Sequence, residues 1–403
     1  MTVDQITLGD VVAAFDALYP PDWAEDWDAV GLVCGDPAEP VRRILFAVDP
    51  VGVTVDEALA RGAQLLVTHH PLFLRGVHGV PATTPKGALV HRLIRGGAGL
   101  LVAHTNADVA DPGVSDALAD RLGVSGTVPL RPSAPAPLDK VVTFVPHADA
   151  DRLVDALAAA GAGAIGAYSR CAWTTSGTGT FRPEEGADPA IGSVGTIEEV
   201  GETRVEMVLP RDRRSAVVAA LRAAHPYEEP AFDVVELAAL PGRRGIGRVG
   251  TLPRTMTLAE FVAHAARVLP GSAAGIRAAG DPDRPVRTVA VAGGAGDGHL
   301  ADAVGSGADV YLTADLRHHP ASEHSERGGP ALVDASHWTT ERPWLDDAAR
   351  RLAAALRVRH GDTGATVELL VSDLVTDPWT LHTDPATHPD PAIHPDKEAS
   401  TTP

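Results

Sequence analysis

Thiolate chemistry is nearly absent from this chain: cysteine occurs twice in 403 residues, as Cys34 and Cys171. Two are too few for a disulfide framework or a thiolate metal site. Basic charge is scarce as well. Lys and Arg number 34 against 53 Asp and Glu, a net charge of -19. Such a field repels phosphate backbones and excludes a general nucleic-acid role, while leaving room for a local basic pocket around a nucleotide. No apolar run approaches the ~18 residues that would span a bilayer. The opening MTVDQITLGD carries acids where an export signal carries Lys or Arg before an apolar core. The expectation is a cytoplasmic protein without a membrane or nucleic-acid partner.

What is present is an alternation of strand and helix. RRILFAVDP, QLLVTHH and GLLVAHTNAD read as strands, separated by the amphipathic stretches VTVDEALARGA and KGALVHRLIRGG. Continuous apolar strands between amphipathic helices predict a parallel sheet covered on both faces. The rhythm returns over residues 286–373, with VRTVAVAGG, DVYLTAD, PALVDAS and TVELLVSD as strands. Between the halves, residues 138–240 read as two split β-α-β units, which predicts an inserted ferredoxin-like α+β domain. The expected architecture is therefore a discontinuous α/β domain with a mostly parallel sheet. It spans 1–132 and 245–375, interrupted by the insertion. The tail 376–403 repeats HTDPAT, HPDPAI and HPDKEA; dense in Pro and poor in apolar residues, it is expected to be disordered.

Sites in parallel α/β sheets form beyond the carboxyl ends of the strands. Those ends carry His69 and His70, His104 and Asp108, Asp315 with His318 and His319, and His337 with Glu341 four residues on. Every one is an imidazole or a carboxylate, an inventory for Zn, Fe or Mn. A helix capped by Thr339 or Thr340 would bring His337 and Glu341 to one point. Once the strand ends at Thr68, the chain can turn and aim both His69 and His70 into one cavity. Three imidazoles and two carboxylates suit two ions sharing a carboxylate, with open positions for water. The roles of His104, His318 and His319 stay open between orienting a ligand, touching substrate and plain surface. VAGGAGDGH, 291–299, lacks the spacing of a dinucleotide fingerprint. It reads equally as a phosphate cradle or as a tight turn needing small residues.

The stretches AEDWDAVGLVCGDP (24–37), VTHHPLF (67–73), AHTNADVADPGVSDALADRLG (103–123), HPYEEPAFDV (225–234), GRVG (247–250), VAGGAGDG (291–298), TADLRHH (313–319) and DASHWTTE (334–341) together resemble one family. It is the dinuclear-metal family of GTP cyclohydrolase I type 2 homologues, also called NGG-interacting-factor-three-like. The resemblance implies that His69, His70, Asp108, His337 and Glu341 bind two divalent transition metal ions per subunit. It also implies a toroidal homohexamer and a PII- and CutA-like insertion. Ala29 departs from the Asn that often follows WD in the family. The implied reaction is metal-dependent hydrolysis of a small molecule, the opening of the GTP imidazole ring with release of formate. His104 or His319 would be the catalytic proton shuttle. The same site would also suit a nucleotide phosphoesterase, or a non-enzymatic metal-handling or regulatory scaffold.

Overall fold

The computed structural model describes residues 5–240, 242–361 and 363–383; the tail beyond 383, with His388 and His394, lies outside them. The chain divides into two compact units, 1–133 with 243–403, and 134–242. Among the described residues no helix is long and apolar enough to cross a membrane.

The first unit is mixed α/β and holds two sheets. One runs in the order Gly31–Cys34, Gly99–Val102, Leu65–Thr68, Arg43–Ala47, Glu368–Val371. All its neighbours are parallel except the edge strand Gly31–Cys34. LLVT and GLLV are buried at every residue, the pattern of strands covered on both faces. The other sheet runs Arg277–Ala279, Ala331–Ala335, Val310–Ala314, Pro285–Ala295, Gly245–Thr257, Ser125–Pro132. Only its three central strands, from Pro285 to Ala335, pair in parallel. This corrects the expectation of one mostly parallel sheet. GIGRVGTLPRTMT breaks its apolar positions with Gly, Arg and Pro, so its strand signal is weak. Its strand is set instead by antiparallel ladders to Pro285–Ala295 and Ser125–Pro132.

Register positions the site. Ala47 pairs with Thr68 and Thr68 with Val102, so three strands end at one level and deliver Asp49, His69, His70 and His104 to the same edge. In the second sheet Ala314 pairs with Ala335, which places Asp315 and His337 together just beyond. The helix His337–His360 then runs back through the core, with Trp344, Leu345, Leu352 and Leu356 packed in one cluster with Leu65, Val67 and Leu101.

The second unit has one antiparallel sheet in the order Trp173–Phe181, Glu198–Pro210, Leu138–Pro146, Phe232–Glu236. Helices Ala150–Ala159 and Arg214–Ala224 contribute Leu153, Leu157, Val217 and Leu221 to a core with Val141, Val205 and Met207. The chain order β-α-β-β-α-β with this strand order is the ferredoxin-like arrangement.

Candidate metal centre

The His doublet works through a turn. The strand ends at Thr68, whose hydroxyl donates to the carbonyl of His70 at 2.9 Å. His69 is fully buried and donates Nδ1–H to the Ala103 carbonyl at 2.9 Å. His70 donates Nδ1–H to Asp49 at 2.7 Å. From the other sheet, His337 donates Nδ1–H to Asp315 at 2.7 Å. Carbonyls and carboxylates only accept here, so each Nδ1 carries a proton, and in the neutral ring each Nε2 presents a bare lone pair.

Those lone pairs converge on Glu341. Its carboxylate lies 2.9 Å from His337 Nε2, 3.1 Å from His70 Nε2 and 3.4 Å from His69 Nε2. His70 and His337 face each other Nε2 to Nε2 at 3.2 Å, and Asp108 stands 3.7 Å from His69 Nε2. His69 Nε2 and Glu341 Oε2 are buried without a hydrogen-bond partner. With the rings neutral, acceptor faces acceptor throughout, and positive charge at the centre, from metal ions or from protons on Nε2, reconciles them. The donor set, neutral imidazole and carboxylate, fits a divalent transition ion. Without an ion, protons on the rings take its place, so metal binding must displace them. Burial pulls the His70 and His337 imidazoles down, but the Glu341 carboxylate, aided by Asp49 and Asp315, outweighs it and holds them at about 10 and about 11. Burial pushes Glu341 up, yet the surrounding imidazoles hold it well below the usual carboxylate range. Burial raises Asp108.

Local sequence explains the geometry. The cap of the long helix is Ser336, not Thr339 or Thr340: its hydroxyl accepts from the Thr339 N–H at 3.3 Å. A Ser at that place starts the helix at His337, so His337 and Glu341 fall at i and i+4 on one face. Gly294, with φ +68°, passes so close that a Cβ there would come within 2.5 Å of Glu341 Oε1. The glycine run of 291–298 thereby serves close approach. Three of its amides are already used, Gly293 on Ser115, Gly294 on Thr340 and Gly296 on Ala314, which favours the tight-turn reading over the phosphate cradle.

Of the two candidate proton shuttles, the structure brings in one. His104 groups with His69 and His70 within ligand distance, and its Nδ1 donates to Asp28 at 2.9 Å. Asp28 also accepts from the Thr105 amide and hydroxyl; against the upward push of burial, these bonds hold its carboxyl far below its ordinary value. His319 is exposed, on the helix His318–Glu326 with its ring against His318, and lies outside both ligand-distance groups. Asp49 and Asp28 were not anticipated. Asp49 stands one residue past VRRILFAV, at a strand end like the histidines, and reading that end would have found it. Asp28 leaves no such signal, since it reaches His104 from a loop 76 residues earlier. The segment expected to begin the disordered tail is engaged at its first two residues and exposed over 378–383. The Thr376 hydroxyl donates to Asp49, and Asp377 is buried. A hydrogen-bond acceptor at Asp49 anchors Thr376 in a way that composition does not reveal.

Two clefts open on the cluster. One, of about 400 Å³, is lined by Trp27, His104, Asp108, Arg131, His337 and Glu341 among others. The other, of about 720 Å³, runs past His70, Asp315 and His337 to Trp379 and His382.

The profile of the Duf34/NIF3 (NGG1p interacting factor 3) family matches residues 6–378. A Mycobacterium tuberculosis protein named GTP cyclohydrolase 1 type 2 homolog is 50% identical over 377 residues, 93% of this chain and 97% of that relative. The Bacillus subtilis protein of the same name is 36% identical over 370 residues, 92% of this chain and 97% of its own. Among solved structures, a Bacillus cereus protein related to NIF3 aligns with a TM-score of 0.70 at 35% identity, covering 94% of this chain and all of that one. The profile and the relatives cover both halves of the first unit and the insertion between them, and the chain belongs to the Duf34/NIF3 family.

Proposed function

We propose that this protein is a dinuclear-metal hydrolase that opens the imidazole ring of GTP with release of formate. His69, His70, Asp108, His337 and Glu341 would hold the two ions, with Glu341 shared between them. The observation that carries the reading is the set of three Nδ1-anchored imidazoles aiming bare Nε2 atoms at one buried carboxylate. Ligating histidines that donate their second N–H to a carboxylate or carbonyl are held in one tautomer and one orientation. Bound there, two divalent ions would supply Lewis acidity and a nucleophile usable at neutral pH. The protein residues do the rest. Asp49, Asp315 and the Ala103 carbonyl fix the three rings. His104, pinned through Nδ1 to Asp28, presents Nε2 towards the cluster to take and return protons.

A nucleotide fits the adjoining cleft chemically. Trp27 is 57% exposed beside His104, an indole face open to a purine. Arg131 lines the same cleft and, among the described residues, forms no ion pair, which leaves its guanidinium for a phosphate. Membership of the family supports the homohexamer, and the ferredoxin-like topology supports reading the insertion as PII- and CutA-like.

Incubating the metal-loaded protein with GTP and measuring formate tests the reaction. The expected result is one formate per GTP consumed, lost when the metal is chelated. Phosphate release without formate would replace this reading with a phosphoesterase, and tight metal binding with no turnover on a nucleotide panel would replace it with a metal-handling role.

A further inference from the structure

The insertion carries a cavity of its own, of about 560 Å³, that the metal chemistry does not use. Its floor is the ladder between Trp173–Phe181 and Glu198–Pro210, where Gly177 pairs with Glu202 and Gly179 with Val200. Glycine inside a strand weakens it and often marks a place where another group approaches closely. Both positions show why here. A Cβ at Gly179 would strike Glu202 Oε2 at 2.1 Å, and a Cβ at Gly177 would meet nothing within 4 Å. One glycine makes room for the carboxylate and the other opens onto empty space.

Phe144, Phe181 and Tyr227 stand around that space, with Pro183, Pro189 and Ile191 on the loop that covers it. The one deeply buried charged side chain lining it is Glu202, at 8% exposure. Its Oε1 accepts from the Tyr227 hydroxyl at 2.8 Å. Among the described residues no Lys, Arg or His forms an ion pair with it. Arg204, the cation that lines the cavity, is bound to Glu206 at 2.9 Å and stacked on Phe144. A buried carboxylate with one neutral donor is under-compensated, and an apolar pocket of this size with a single such charge is the form of a small-molecule site. Glu228 and Glu229 at the rim keep the balance negative.

We propose that this cavity binds a small organic cation, an amine or amidine on a flat apolar body, with its charged end on Glu202 and its body against the wall formed by Phe181 and Tyr227, whose rings pack on each other at 5.6 Å. Burial of the ammonium or amidinium beside the carboxylate supplies specificity, because a neutral isostere leaves Glu202 uncompensated.

Calorimetric titration of the full chain with benzamidine and phenethylamine, against benzamide and phenethyl alcohol, tests it. At least one cation should bind with a dissociation constant below about 1 mM, at least about tenfold tighter than its neutral partner. Glu202→Gln should erase that discrimination. Gly177→Val, which places a strand-favouring side chain in open space and keeps Glu202, should abolish binding while thermal unfolding and metal content stay unchanged. No saturable binding of either cation, equal binding of the neutral isosteres, or unaltered binding by Gly177→Val would overturn the proposal. A change in oligomeric mass caused by Gly177→Val, without cation binding by the parent chain, would assign the face to a second copy instead.

Discussion

His69→Ala and His70→Ala are each expected to reduce turnover by more than ~100-fold, and the double variant to be little worse than either. Weakening only an orienting partner of a ligand already costs 10–100-fold in affinity or activity, so losing the ligand itself costs more. Non-additivity follows because the two rings act as one unit: they stand 5.2 Å apart and share Glu341, so losing either leaves a centre that cannot hold both ions. The fold should persist, since the strands behind the doublet pack in cores that do not depend on it. Turnover, metal content and thermal unfolding of the three variants check this together. A single variant with near-normal turnover and one ion per chain would remove the second ion from the account.

Arg248→Met is expected to lower the thermal midpoint by roughly 6–12 °C, the shift that a loss of about 3–5 kcal/mol produces in a unit of this size. Arg248 is 2% exposed, and every guanidinium nitrogen is engaged. Nε and Nη2 each meet Asp116 at 2.7 Å, Nη1 donates to the carbonyls of Gly245 and Gly247, and Nη2 donates to the Ala110 carbonyl. Removing the cation leaves Asp116 buried and unpaired together with three carbonyls, and Met fills the volume without donating to any of them. Adding Asp116→Asn should recover part of the loss, because the remaining charge is removed while its carbonyl can still accept from the Gly113 amide. The change would be measured by calorimetry on metal-loaded protein, and a midpoint within about 2 °C of the parent would refute this role for Arg248.

The strands LLVT and GLLV and the helices between them were legible because burial on both faces writes itself as continuous apolar sequence. The five proposed ligands were legible for a related reason: all stand at or just past strand ends, where a parallel sheet leaves chemistry-bearing residues. Three features were not. The cap at Ser336 competes with Thr339 and Thr340 in the same stretch, and local sequence does not choose among three hydroxyls. The division into two sheets depends on Gly245–Thr257, whose pairing partners lie 28 or more residues away in the chain and whose own apolar pattern is broken. Asp28 reaches His104 from a loop, and no periodicity marks it. Non-local contacts decided the sheet division and the place of Asp28, as they also brought Thr376 to Asp49.

Elemental analysis of the chain purified without chelator bears most directly on the centre itself. Two divalent transition ions per chain, falling to one or none in His69→Ala and in Glu341→Ala with the fold retained, is the result expected of three imidazoles and one aspartate arranged around one buried glutamate. One ion or none in the parent chain, or full occupancy surviving the loss of Glu341, would contradict it.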